Sequence, residues 1–536
     1  MRFTRLQRYM LSLISGLLMV ISFPHTGSLF PLVFVAWVPL LLVEHNIYRE
    51  NYRSGKVFIH AYLAFFIYNI GTTFWIYYSV GGEAGAILAY LLNSLLMAII
   101  FMLFHWTKRF VGQKEGYIGL LFFWLGFEYF HYHWELSWPW INIGNTFAIA
   151  PEFVQWFAYT GVLGGGLWIL LVNLVLFKAV SNMLFKRESF IIQTPLMYTF
   201  LGIIVVPGLL SYWSYSSHVE TQNPVEVVVT QPNIDPYTEK FSTSIGGQID
   251  RFIEQADTLV TPETAVVLAP ETAIARPFNE AKYASDRNYE QIADQVRKWN
   301  GPAFFVGAST YQIFEEKKSV ATKPLSNGDA FYESYNTSML VEKNKPPQFI
   351  HKSKLVLGVE KIPFSNWFPF LEQLSVENGG TSGTLGTEDV PRVIQTKGFK
   401  FAPVVCYESI YGGFVAEQCR KGAETIFVIT NDGWWGDTPG HRQHASFARL
   451  RAVETGRYVV RSANTGISSV INQRGDVVRS TNYWEEDAFR ATIQLNDQPT
   501  FYVTYGDVIG RSFGFVFFLL LALTLVKYLR RFGTTV

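Results

Sequence analysis

Three apolar, β-branched runs in this chain end in residues able to do covalent chemistry. Phe401 to Ser409 (FAPVVCYES) reads as a buried strand that delivers Cys406 and Glu408 at its C-terminal edge, where open α/β sheets carry their reacting groups. Ala265 to Ile274 (AVVLAPETAI) presents Glu271, and Gln348 to Val356 (QFIHKSKLV) presents Lys352 and Lys354. A thiol is only slightly ionised at neutral pH, so a nucleophilic cysteine needs a base or a nearby cation. Glu271, following Pro270 at the end of an apolar strand, is the candidate base, and burial is expected to raise its carboxyl toward the working range. Attack on an ester or amide creates an oxyanion that wants fixed positive charge, which Lys352 can supply, with Glu360 and Glu408 placed to pair with it. Each piece alone has a plainer reading: an inert buried thiol, a helix cap, a solvated charge. The two cysteines, Cys406 and Cys419, also allow a disulfide, although Cys419 falls in a predicted helix among charged neighbours. The joint arrangement is what points to a nucleophilic site.

The elements that must position these groups lie within residues 220–510, where short strand-like runs alternate with amphipathic segments. Strands are expected at Val225 to Thr230, Ala265 to Leu268, Ala303 to Gly307, Ser338 to Glu342, Ala402 to Val405, Thr425 to Ile429, Tyr458 to Ser462 and Ser468 to Asn472. Helices are expected at Gly247 to Leu259, Ala281 to Trp299, Gly412 to Lys421 and His444 to Thr455, which together make a layered α/β domain. Phe314 to Phe331 breaks the rhythm as a polar loop. Lys361 to Gly386 crowds Ile362, Phe364, Trp367, Phe368 and Phe370 into a loop that runs into glycines. It reads either as a packed loop or as a lid, with Gly379, Gly380 and Gly383 as hinges.

The first 215 residues have a different character. The chain is 49% hydrophobic and only 16% charged, against roughly 25% charged in soluble proteins. Apolar spans at about 10–23, 29–44, 58–80, 84–106, 117–131, 162–185, 194–215 and 512–529 predict eight transmembrane helices. Basic residues follow alternate spans: Arg49, Arg53 and Lys56; Lys108, Arg109 and Lys114; Lys186 and Arg187; then Lys527, Arg530 and Arg531. The positive-inside rule therefore puts both termini in the cytoplasm and the large segment between spans seven and eight outside. The domains expected are 1–217 with seven helices, 218–510 as the extramembrane domain, and 511–536 as the last helix and tail. Tyr132 to Asn145 (YHWELSWPWINIGN) reads as an interfacial aromatic belt or as the rim through which a lipid enters, and Glu128 marks a polar contact in the bundle or at its interface. A net charge of +1 argues against a nucleic-acid partner.

The Glu of APETAI, the Lys of HKSKLV and the Cys of VVCYES, in that order, resemble the Glu-Lys-Cys triad of the nitrilase, or carbon–nitrogen hydrolase, superfamily. Asn431 to Trp435 (NDGWW), Gln443-His444, Ala448-Arg449, Glu454 and Arg461 to Gly466 (RSANTG) resemble one membrane-embedded branch of it, the bacterial apolipoprotein N-acyltransferases. The resemblance implies a nitrilase-like αββα sandwich with Glu271 as general base, Lys352 as oxyanion stabiliser and Cys406 as nucleophile. Lys352 is preferred to Lys354 because it stands three residues before Leu355-Val356 and eight before Glu360. Glu360, Glu408 and Tyr407 match supporting positions, and Phe241, Phe364, Trp367 and Trp434 match substrate-binding or lid positions. The family's Pro-Phe-Gly is replaced by Leu357-Gly358-Val359, and a frequent Trp by Phe241.

By that resemblance the enzyme moves an acyl chain from a phospholipid, typically phosphatidylethanolamine, through a Cys406 thioester to the N-terminal amine of a diacylglyceryl-cysteine apolipoprotein in the inner membrane. No metal or organic cofactor is implied. Two rivals remain: a membrane-tethered amidase that uses water, and a transporter or receptor whose outer domain only binds. Few ionisable residues within the spans weigh against the transporter.

Overall fold

The computed structural model describes residues 2–79, 82–325, 328–374 and 383–533; the predicted hinge residues Gly379 and Gly380 lie outside them. Two units make up the chain: 1–77, 84–217 and 507–536 form the first, and 78–83 and 218–506 the second.

The first unit is helical: α1 (Arg5–Ser22), α2 (Val38–Arg49), α3 (Gly55–Thr73), α4 (Gly82–Phe110), α5 (Gln113–Phe130), α6 (Phe157–Lys186), α7 (Phe190–Ser217) and a last helix, Val508–Gly533. Among the described residues six helical segments are long and apolar enough to cross a membrane: Phe30–Arg49, Gly55–Tyr78, Glu83–Phe110, Phe157–Lys186, Phe190–Ser217 and Val508–Arg531. The two further spans expected from the sequence coincide with α1 and α5, 18 residues each, whose apolar runs are broken by buried Ser12 and Ser15 and by buried Glu128.

Three expectations change here. Tyr132 to Asn145 is not an exposed belt throughout. From Pro139 it runs as 3-10 turns to Phe153, with Trp140, Ile141, Asn142, Ile143, Asn145 and Phe147 all buried. Non-helical backbone survives there because side chains take up its polar groups. Glu128 accepts the N–H of Ile143 (2.8 Å), Tyr68 donates to the carbonyl of Ile141 (3.1 Å), and Asn145 donates to those of Pro139 and Trp140. Lys108, counted from sequence as a loop charge, is buried on α4 and pairs with Glu44 of α2 at 2.5 Å. Glu44 also lies 2.7 Å from His105, so the spans hold more ionisable groups than their hydropathy suggests, and these groups satisfy one another.

The second unit is a two-sheet sandwich. Its strands are β1 (Pro224–Gln231), β2 (Thr264–Leu268), β3 (Ile274–Asn279), β4 (Ala303–Phe314), β5 (Lys323–Pro324), β6 (Phe331–Val341), β7 (Gln348–His351), β8 (Ile394–Thr396), β9 (Phe399–Val405), β10 (Thr425–Thr430), β11 (Val459–Ala463), β12 (Ser469–Ile471), β13 (Val477–Ser480) and β14 (Asp487–Gln494). One sheet runs β14-β1-β2-β4-β6-β5, with β3 on β4 and β7 on β6; the other runs β13-β12-β11-β10-β9-β8. The central strands β1-β2-β4 and β9-β10-β11 are parallel, so their C-terminal ends open on a common edge of each sheet. The longer helices are α8 (Ile245–Asp257), α9 (Arg287–Trp299), α10 (Gly412–Arg420) and α11 (Pro439–Thr455).

Period-two alternation sorts each strand into two layers. Val227, Val229, Leu268 and Phe305 meet Phe401, Val405, Phe427 and Val460 between the sheets. Val228, Val267 and Phe304 turn out against Ile249 and Phe252 of α8 and Ile292 and Val296 of α9. Val404, Val428 and Val459 turn out against Val415 and Cys419 of α10 and Ala448 and Ala452 of α11. The result is an αββα layering. Strands β3, β8, β13 and β14 and the short β5 were not expected; the last lies inside the stretch predicted as a polar loop. Both cysteines are free, and Cys419 is spent on packing.

Candidate active site

Strand β2 ends at Leu268, but its chain stays on β4: Ala269 donates to the carbonyl of Phe305 and Gly307 donates to that of Pro270 (3.0 Å). Glu271 follows, and Thr272 turns the chain away in a left-handed conformation, φ +47°. Only a glycine fits opposite, since a Cβ on Gly307 would come within 2.5 Å of Glu271 Cα. Lys352 leaves β7 with its N–H still on the carbonyl of Asn336 in β6 (2.8 Å). Cys406 is the first residue beyond β9 and is also left-handed, φ +51°, before a 3-10 turn over Cys406–Ile410. A non-glycine residue held there costs on the order of 1–3 kcal/mol and marks a position the surroundings over-determine.

These strand ends converge. Lys352 Nζ donates to Glu271 (3.1 Å) and to Glu360 (2.9 Å), and Asn336 Nδ2 donates to the same two oxygens at 2.8 and 2.9 Å. The other oxygen of Glu271 accepts the N–H of Asn431 (3.1 Å), and that of Glu360 accepts the N–H of Val356 (2.8 Å). Burial by itself would raise the Glu271 carboxyl, as expected from sequence. Lys352, Asn336 and Lys240 outweigh it and hold the group below the usual carboxylate range. Burial would likewise discharge Lys352, but Glu271 and Glu360 keep it firmly protonated. Cys406 is 7% exposed; burial and the Glu271 charge push its thiol well up against the pull of Lys352. At rest the site thus holds a thiol, a carboxylate and an ammonium.

Glu408 does something other than pair with Lys352. Its carboxylate accepts the N–H groups of Val405 (2.8 Å), Ser353 (2.6 Å) and Lys354 (3.3 Å), tying the turn after β9 to the turn after β7. Burial drives it up, to about 7, against those amides. Tyr407 is buried with its ring edge-on to Tyr411, 5.4 Å between centroids. Phe241 and Trp367 are exposed, the latter by 77%, and Phe364 is half-buried with φ +62°. Trp434 is half-buried and its carbonyl accepts from the Tyr237 hydroxyl at 2.6 Å.

Residues outside the predicted set complete the site. Asn336 is a single carboxamide in a β-strand (YNTSML), and only the structure shows that it is buried. Behind Cys406, His444 Nδ1 lies 2.8 Å from Asp432, while its Nε2 lies 2.8 Å from Ser409 Oγ and 3.1 Å from the Cys406 carbonyl. Arg461 donates to the second Asp432 oxygen at 3.0 Å. Burial would raise the Asp432 carboxyl, but His444, Arg461 and Thr430 bring it to about 2. Donor atoms of Cys406, Asp432 and His444 lie within 4.8 Å of one another, the spacing of a metal site. The buried Arg461 guanidinium already neutralises the carboxylate there, so the cluster reads as a hydrogen-bond network.

The carbon–nitrogen hydrolase family model matches residues 229–498, and the model of the apolipoprotein N-acyltransferase N-terminal domain matches residues 15–175. A relative from Chlorobaculum tepidum named apolipoprotein N-acyltransferase is 29% identical over 94% of this chain and 93% of its own length. Relatives of the same name from Geobacter metallireducens and Haemophilus influenzae are 29% and 26% identical, each over more than nine-tenths of both chains.

Proposed function

The chain belongs to the carbon–nitrogen hydrolase family, and from that premise we propose that it is an apolipoprotein N-acyltransferase that works through a cysteine thioester. The reading is carried by the joining, in one chain, of a buried Glu-Lys-Cys cluster and a set of helices apolar enough for a bilayer. A hydrolase of small amides has no use for the second part.

In the first half-reaction the Cys406 sulfur attacks the sn-1 ester carbonyl of a phospholipid, phosphatidylethanolamine being the expected donor, while the thiol proton passes to Glu271. The low proton affinity of Glu271 and the high one of the thiol make the two events one concerted step. Lys352 faces the oxyanion with a charge that Glu271 and Glu360 keep in place. Collapse expels the lysophospholipid alkoxide, which takes the proton back from Glu271 and leaves a thioester on Cys406. In the second half-reaction the amine of a diacylglyceryl-cysteine attacks that thioester, Glu271 accepts a proton from the nitrogen, and collapse forms the amide and restores the thiol. Eight spans with both termini cytoplasmic would put residues 218–510 on the outer face of the inner membrane, where lipoproteins mature. The loop carrying Phe364 and Trp367 is then the lipid-facing lid.

The test is to incubate the purified protein with acyl-labelled phospholipid and look for a hydroxylamine-sensitive adduct. Wild type and Cys419→Ala accumulate it, Cys406→Ala does not, and adding a diacylglyceryl peptide discharges it as an amide. Label that persists in Cys406→Ala overturns the assignment; hydrolysis of small amides without an adduct favours an amidase, and neither activity favours a binding protein.

A further inference from the structure

A second lysine belongs to this centre. Lys240, nine residues beyond the end of β1 and only 3% exposed, donates to the main-chain carbonyl of Glu271 (3.3 Å) and to the Thr272 hydroxyl. It is itself anchored, because Gln248 of α8 donates to its carbonyl (2.9 Å) and its own N–H bonds that of Asp235 (2.9 Å). No carboxylate among the described residues forms an ion pair with it. A buried ammonium in that position is costly unless the charge is used.

We propose that Lys240 is a positioning residue of the active centre: it pins the left-handed Thr272 turn that presents Glu271, and it lends a second positive charge to Glu271 and Cys406. The backbone argument is direct, since Thr272 has φ +47° and Lys240 bonds both the Glu271 carbonyl of the peptide unit that enters this turn and the hydroxyl of Thr272 itself. The electrostatic argument follows from what faces each group. Glu271 is faced by Lys352 from the turn after β7 and by Lys240; Cys406 is faced by Glu271, Lys352 and Asp432, and also by Lys240 and the buried Arg461 of β11; Lys240 is faced by Glu271 and Cys406. Burial brings the Lys240 ammonium down to about 8 although Glu271 and Cys406 support it, so it is charged at neutral pH and discharges not far above.

The inference rests on the proposed function only in taking Cys406 as the nucleophile, so its test uses no lipid. Full-length protein in detergent is alkylated with iodoacetamide across the pH range, and adduct formation at Cys406 is timed by mass spectrometry. Lys240→Gln keeps a donor without the charge. Its rate at neutral pH is expected to be about tenfold below wild type, the lower end of what an opposite charge does at close range. The two curves should converge above about pH 8, where the native lysine itself discharges. Thr272→Val keeps the charge and removes the hydroxyl, and is expected to slow alkylation without moving the curve. A Lys240→Gln curve that overlays wild type overturns the proposal. Should that variant not fold, Thr272→Val decides alone, and alkylation at the wild-type rate overturns it. Normal alkylation with no acyl adduct from phospholipid would sink the acyltransferase reading and leave Lys240 in its role.

Discussion

Glu408 accepts the backbone N–H of Ser353 at 2.6 Å, so the second residue beyond Cys406 holds the residue next to Lys352. Two strand ends from different sheets are thereby joined at the point where the thiol and the ammonium must meet.

This joint has a pH signature. The Glu408 carboxyl lies near 7 in the folded chain against an ordinary 4.5, so between those values the folded state holds a proton that the unfolded state has lost. Its contribution to stability is therefore full below about 4.5, falls as pH rises toward 7, and is lowest above. Glu408→Gln, always neutral, removes this dependence. The drop in melting temperature between about pH 5 and about pH 8 should be smaller in Glu408→Gln than in wild type. An equal drop in both would refute the assignment.

Gly307→Ala should damage activity more than stability. The new Cβ would meet Thr272 N at 2.4 Å and Glu271 Cα at 2.5 Å, so the base must move. Displacing a reacting group by about an ångström can cost about 100-fold in rate. Acyl-adduct formation should fall by that order while the protein still melts cooperatively; retention of the wild-type rate would show that Glu271 tolerates the shift.

Asp432→Asn should do the opposite and act first on folding. It leaves the Arg461 guanidinium, fully buried, without its carboxylate, and removing one partner of a buried pair costs about 3–5 kcal/mol. A large fall in melting temperature is expected at neutral pH. An unchanged melt would mean that the pair carries no structural weight.

In the helical unit, Glu128 is the test of the buried 3-10 segment. Glu128→Ala strips the Ile143 N–H and the Trp124 indole of their acceptor, at about 1–3 kcal/mol for each buried group left unpaired. Glu128→Gln keeps a carbonyl oxygen in place and should melt within a few degrees of wild type. Equal loss in both variants would show that charge, not acceptance, is what the segment needs.

Much of this molecule was written locally. The β-branched runs before Glu271, Lys352 and Cys406 form β2, β7 and β9, and each of the three residues stands at or just past its strand end. A period of two in side-chain direction is enough for that, because burying alternate residues in a sandwich depends on nearest neighbours along the chain. The apolar helices were legible for the same reason. The edge strands β3, β8, β13 and β14 were not, since their formation depends on which strand lies beside them.

What only the tertiary structure decided is which partner each polar group takes. Composition and spacing put an acid, an amine and a thiol at three strand ends. They did not say that Asn336, 65 residues along from Glu271, would share its carboxylate with Lys352, that Glu408 would accept from backbone amides, or that Lys108 would be buried against Glu44. They also mispredicted the direction in which Glu271 moves, because burial is a property of one strand whereas the opposing charges of Lys352 and Lys240 come from segments distant in the chain. Electrostatic and hydrogen-bond energies fall off over a few ångströms of space, and sequence separation carries no measure of that distance.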